Sequence, residues 1–126
     1  MRAILALAVG AHGLGHIFFL APTLGLSGWG VFGRSWLLSG RVPAVAVQTK
    51  GGAPWLLALL GFVAAEVGVW GQHGWRRDLA IASAALSLRG LALFAQPLQP
   101  FISAGLMNVA ILVALLWLRW PPTGQF

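Results

Sequence analysis

AILALAVGAHGLGHIFFLA, residues 3–21, decides the fold. It contains no Asp, Glu, Lys or Arg, and it matches the roughly 20 predominantly apolar residues that a helix needs to cross the hydrocarbon of a bilayer. A secretory leader is the competing explanation, because Arg2 precedes the run. Three features oppose it: the run is long, it holds His12 and His16, and Pro22 would follow the cleavage point. The stretch is expected to stay in place as a first membrane span.

Outward from it the same pattern recurs. Further apolar segments at 54–70, 79–95 and 101–118 complete four expected spans. Pro54 suits a first helical turn, Gly71 a helix stop, and Pro97 with Pro100 a tight reversal between the last two spans. Pro121 and Pro122 close the final helix. Trp55, Trp70, Trp75, Trp117 and Trp120 all fall near span ends, as an aromatic belt at the two interfaces would require. Residues 22–53 are glycine-rich and mixed in polarity and are expected to form a surface loop, with the aromatic stretch 28–38 lying in the interface as a short helix. The expected fold is therefore an all-α integral membrane four-helix bundle, one domain over 1–126, with a long first loop that carries an interfacial helix.

Composition agrees. Hydrophobic residues make up 59% of the 126 and charged residues 8%, whereas a soluble domain carries about 25% charged residues. The net charge of +6 comes from eight Lys and Arg set against Glu66 and Asp78, with no basic run. Such a surplus serves orientation and anionic head groups, so lipids are the expected partners and nucleic acid is not. Arg2, Arg76, Arg77 and Arg119 on the side of the termini outnumber Arg34, Arg41 and Lys50 on the other. That balance places the termini in the cytoplasm, for a chain expected in a bacterial inner membrane. The absence of cysteine excludes disulfides, a thiol nucleophile and Cys-ligated clusters, and with them thiol oxidoreductases of the vitamin K epoxide reductase type.

The polar residues within the spans are the candidates for function, since hydrocarbon tolerates them only where they face protein or water. His12 and His16 lie in the first span, Glu66 in the second, Ser83, Ser87 and Arg89 in the third, and Ser103 and Asn108 in the fourth. At about 1.5 Å of rise per residue, with successive spans alternating in direction, His12, His16, Glu66, Arg89 and Asn108 fall within several ångströms of the midplane. They are the candidate ligand or proton site. His12 and His16 are four apart and share a helix face, among glycines that let a neighbouring helix approach. They could hydrogen-bond across the bundle to Asn108, a serine or a carbonyl; handle a proton; or hold a metal with Glu66. Glu66 and Arg89 could form an ion pair, or Arg89 could hold an anionic ligand while Glu66 or a histidine handles a proton. No cofactor is expected, although a metal, a quinone or a haem each stays open at this site.

The stretch His12-Gly13-Leu14-Gly15-His16 resembles the first span of a loose group of small bacterial four-helix membrane proteins with a His-Gly-hydrophobic-x-His pattern, loosely DoxX-like. The resemblance extends to Pro54-Trp55-Leu56-Leu57-Ala58 and to Asn108-Val109-Ala110-Ile111-Leu112. It implies the four-helix architecture and carries no activity. Small multidrug transporters share the size but keep their essential glutamate in the first span, where this chain has histidines. The expectation is a non-enzymatic membrane protein: a subunit or assembly factor with a protein partner or further copies of itself, or a small lipid- or quinone-binding bundle. The alternative is a proton-linked carrier or membrane enzyme built on the midplane His, Glu and Arg residues.

Overall fold

The computed structural model describes residues 2–26, 28, 34–94, 99–119 and 121. They form helices α1 (Arg2–Gly15), α2 (Ile17–Thr23), α3 (Ala44–Trp70), α4 (Arg76–Phe94) and α5 (Gln99–Leu112), the last continued by a π-helical turn at Val113–Trp117. With α1 and α2 counted as one broken rod, this is a bundle of four helices. Three are long and apolar enough to cross a membrane: Arg2–Thr23, Ala44–Trp70 and Pro100–Trp117. The fourth, α4, carries Arg76, Arg77, Asp78 and Arg89. It compensates by burying Ala80, Ser83, Ala84, Ser87 and Gly90, a row of small residues that lets its neighbours approach closely.

Close approaches fix the register. A side chain at Gly13 would sit 2.7 Å from the Cβ of Phe62, and one at Gly90 would sit 3.0 Å from the Trp55 ring. Gly51 faces Phe94, and Gly68 faces Trp75 and Arg76. Helices α3 and α4 are therefore antiparallel neighbours at the centre, with α1 packed on α3 and α5 on α4. The apolar interior divides into two clusters. One, at the end holding the termini, gathers Ala6, Val9, Phe62, Ala65, Val69, Ala80, Ala84, Ile111 and Leu115. The other, at the first-loop end, gathers Phe19, Val47, Trp55, Leu91, Phe94 and Phe101.

Several boundaries differ from the sequence expectation, each for a physical reason. The second helix starts at Ala44, ten residues before Pro54, so the expected loop 22–53 is shorter and Pro54 lies inside a helix. Proline there removes one N–H from the ladder, a loss that neighbouring helices make tolerable in membrane proteins. Trp55 does not sit in an interfacial belt: it is fully buried, stacked on Phe19 with ring centroids 4.9 Å apart. Trp70, Trp75 and Trp117 are exposed near helix ends, as a belt demands; Trp120 lies outside the described residues. Most of the expected interfacial helix also lies outside them. Its described end, 34–38, is not helical and is pinned to α4 by the Ser35 hydroxyl donating to Leu93 O (2.5 Å) and the Trp36 indole donating to Ala92 O (2.7 Å). The expected reversal at Pro97 lies outside the described residues, and Pro100 falls in the first turn of α5, a position that suits proline.

The first rod breaks at His16. Its N–H bonds to Gly13 O at 3.0 Å, a tighter turn than the α-helical i−4 pattern, and this releases the carbonyl of His12. The His16 ring takes over that carbonyl: Nδ1 donates to His12 O at 3.0 Å and to Gly13 O at 3.2 Å. At the far end, the Arg77 guanidinium donates to Leu115 O within the π-helical turn, where Leu118 N bonds to Val113 O at 2.9 Å.

Candidate functional site

Between the two apolar clusters lies a single polar layer. It contains His12 and His16 from the first rod, Ser87 from α4 and Asn108 from α5. His16, Ser87 and Asn108 are fully buried and His12 partly so. The hydrogen-bond directions can be read one from the next. Asn108 Nδ2 reaches Ala104 O at 2.8 Å, and a carbonyl only accepts, so the amide nitrogen must face that way. Asn108 Oδ1 is thereby the atom facing His12 Nε2 at 3.1 Å, and His12 Nε2 must carry a hydrogen. Asn108 Nδ2 also donates to Ser87 Oγ at 2.7 Å, leaving the Ser87 hydroxyl to donate to His16 Nε2 at 2.7 Å. His16 Nδ1 completes the circuit by donating to the carbonyls of the His12 turn.

The chain of donors and acceptors closes with both imidazoles neutral. His16 is saturated. His12 is not, because with its hydrogen on Nε2 its Nδ1 is a bare acceptor, and that nitrogen has no partner among the described residues. The two rings lie edge to face with centroids 5.2 Å apart, and Phe62 packs against both, 4.9 Å from His12 and 5.5 Å from His16.

His12 lines a groove. A cleft of about 640 Å³ runs between the first rod and α5, walled by Ala8, Ala11, His12, Phe18, Ser103 and Met107 among others. Among the described residues its walls come from the first rod and α5, with nothing from α3 or α4. At Ala8 and Met107 it continues into a smaller apolar cleft of about 200 Å³, bordered by Leu5, Ala110, Ala114 and Leu115. A mainly apolar trough with one hydrogen-bonding group in its wall is the general shape of a small-molecule site.

Three of the five candidate residues, His12, His16 and Asn108, are thus brought together. Glu66 and Arg89 are not, and they do not pair with each other. The Glu66 carboxyl lies against Gly10 on the α1–α3 face, whereas Arg89 lines a separate surface groove with Lys50. The reason is angular: Arg89 is two residues from Ser87, about 200° around the helix, so burying Ser87 turns Arg89 outward. Ser87 itself was visible in the sequence as a polar residue in a span. Its spacing of four from buried Ser83 was the signal that it faces the core. Among the described residues no three of His, Asp and Glu gather as a metal would require, and Glu66 is no third ligand to the histidine pair. Trp55 buries its indole N–H without a hydrogen-bond partner among the described residues, beside the His16 ring at 5.9 Å.

Comparison with protein-family models, with curated proteins and with solved structures gave no match.

Proposed function

We propose that the chain is a non-enzymatic protein of a bacterial inner membrane, termini in the cytoplasm, which holds a membrane-soluble molecule in the groove between the first rod and α5. One observation carries this reading: His12, in the groove wall, has its Nε2 hydrogen directed to Asn108 Oδ1, so that in the neutral ring Nδ1 is an acceptor without a partner among the described residues. Its complement is a ligand with a hydroxyl donor and an apolar tail, such as a quinol or a hydroxyl-bearing lipid. The tail would follow the apolar continuation past Ala8 and Met107. The arginine-rich end with Arg2, Arg76, Arg77 and Arg119 supports the orientation.

The test is extraction and mass spectrometry of small molecules retained by the protein purified in mild detergent. Wild type is expected to retain one hydroxyl-bearing lipid class in stoichiometric amount. His12→Leu, which removes the acceptor, and Ala8→Phe, which fills the groove without touching the circuit, should each lose it. An empty wild type, or equal retention in all three proteins, would refute the proposal.

A second reading, a proton-linked carrier, draws on Glu66, whose half-buried carboxyl makes no hydrogen bond or ion pair with a described residue. It predicts uptake driven by a pH gradient and abolished in Glu66→Gln; transport indifferent to that substitution would remove it. A role as subunit of a larger complex or homo-oligomer would instead use the outer face of α5, where Ile102, Leu106 and Leu116 are exposed. Crosslinking in intact membranes tests that role.

A further inference from the structure

Apart from the histidine groove, α3 and α4 form a second surface groove of about 560 Å³ near the first-loop end. Two cations line it, Lys50 from α3 and Arg89 from α4, together with Thr49 and the apolar Leu57, Leu86 and Leu93. Both cations are exposed, and neither makes an ion pair or side-chain hydrogen bond with a described residue. Neither side-chain carboxylate of the chain is near them: Glu66 lies against Gly10, and Asp78 is in the first turn of α4 at the far end.

Their depth identifies what meets them. Helix α3 has 27 residues, about 40 Å at about 1.5 Å per residue, which exceeds a hydrocarbon core of about 30 Å. If Trp70 marks one interface, the other falls near Lys50. The facing of Gly51 with Phe94 and of Gly90 with Trp55 sets Arg89 about two turns deeper than Lys50. Lys50 and Arg89 border the one groove, and a long cationic side chain at that depth can reach toward the head groups while its stem stays along apolar surface. Two cations without an ion-pair partner among the described residues, Lys50 near the head-group level and Arg89 below it, set beside apolar side chains, complement a phosphate with acyl chains.

The geometry points to a binding site for one anionic phospholipid, its phosphodiester held by Arg89 and Lys50 and an acyl chain lying along Leu57, Leu86 and Leu93. The site is independent of the histidine groove.

Native mass spectrometry of the protein released from micelles doped with phosphatidylglycerol or with phosphatidylcholine of the same chains tests it. Wild type should retain phosphatidylglycerol about fivefold more per contributing cation, and the double variant Lys50→Gln/Arg89→Gln should show no preference. Raising the salt should erase the wild-type preference as well, a measurement that needs no variant. Soluble glycerol phosphate should not displace the lipid, since it lacks the chains. Equal retention of the two lipids by wild type, a preference kept by the double variant or at high salt, or displacement by glycerol phosphate would overturn the proposal. Retention of the groove ligand by the double variant keeps this test separate from that of the proposed function.

Discussion

Asn108 holds the polar layer together. Its amide oxygen accepts from His12, and its nitrogen serves both Ser87 and the carbonyl of Ala104. Replacing it with leucine would leave the His12 N–H and the Ser87 oxygen short of a partner that the bundle now supplies. A buried group left unsatisfied costs about 1–3 kcal/mol, so Asn108→Leu should lower stability by about that amount. Reversible unfolding in mixed micelles with increasing SDS measures it, and an unchanged midpoint would show that the circuit contributes nothing. Interhelical hydrogen bonds in membranes average roughly 0.6 kcal/mol, so a double-mutant cycle between Ser87→Ala and Asn108→Ala should report coupling of about 0.5–1.5 kcal/mol. Arg89→Gln should cost under about 0.5 kcal/mol, because its side chain is exposed and has no ion-pair partner among the described residues. That ranking inverts a naive view, in which a charge within a span matters more than an amide.

Helix by helix, the glycines separate into two kinds. A methyl added at Gly13 would sit 2.7 Å from the Cβ of Phe62, an atom fixed to the α3 backbone that cannot swing aside, while one at Gly15 would meet nothing within 4 Å. Gly13→Ala should therefore push α1 off α3 and cost about 1–3 kcal/mol. Gly15→Ala should be neutral or stabilising by up to about 1 kcal/mol, since alanine loses less backbone freedom in a helix. The same micelle titration reads both, and equal effects would contradict the packing of α1 on α3. Gly13→Ala should also weaken retention of the groove ligand, because Gly13 is flanked by His12 and accepts from His16. The break at His16 belongs to this scale too. A histidine ring that substitutes for a lost backbone donor lets the rod change direction while the carbonyl of His12 stays satisfied.

For the molecule as a whole, topology is the open measurement. The chain has no cysteine, so single cysteines placed at Leu26 in the first loop and at Gly74 between α3 and α4 report sidedness without background. Leu26 is 76% exposed, and a side chain at Gly74 would meet nothing within 4 Å, so neither substitution should disturb the bundle. A membrane-impermeant thiol reagent should label the two from opposite faces, with Gly74→Cys reacting on the cytoplasmic side. Labelling of both from one face would mean that α3 does not cross. The two grooves lie between different helix pairs, one between the first rod and α5 and mainly apolar, the other between α3 and α4 and bordered by Lys50 and Arg89.

The sequence determined by itself what depends on composition and local periodicity. Apolar runs longer than a soluble core would need make a helical membrane bundle, Gly71 caps the second helix where a stop was expected, and His12 and His16 share a face because they are four residues apart. It could not determine what depends on rotation about a helix axis within the assembled bundle. Pro54 was legible as a helix start, yet packing carried the helix ten residues further back. Trp55 looked interfacial and is instead at the centre of the aromatic cluster. Glu66 and Arg89, expected to lie within reach of each other, were separated onto different faces and different levels, and Ser87 took a place in the layer that depth alone did not give it. Depth follows from residue count, which a sequence records. Azimuth follows from which small residues let which helices touch, and only the tertiary structure decides that.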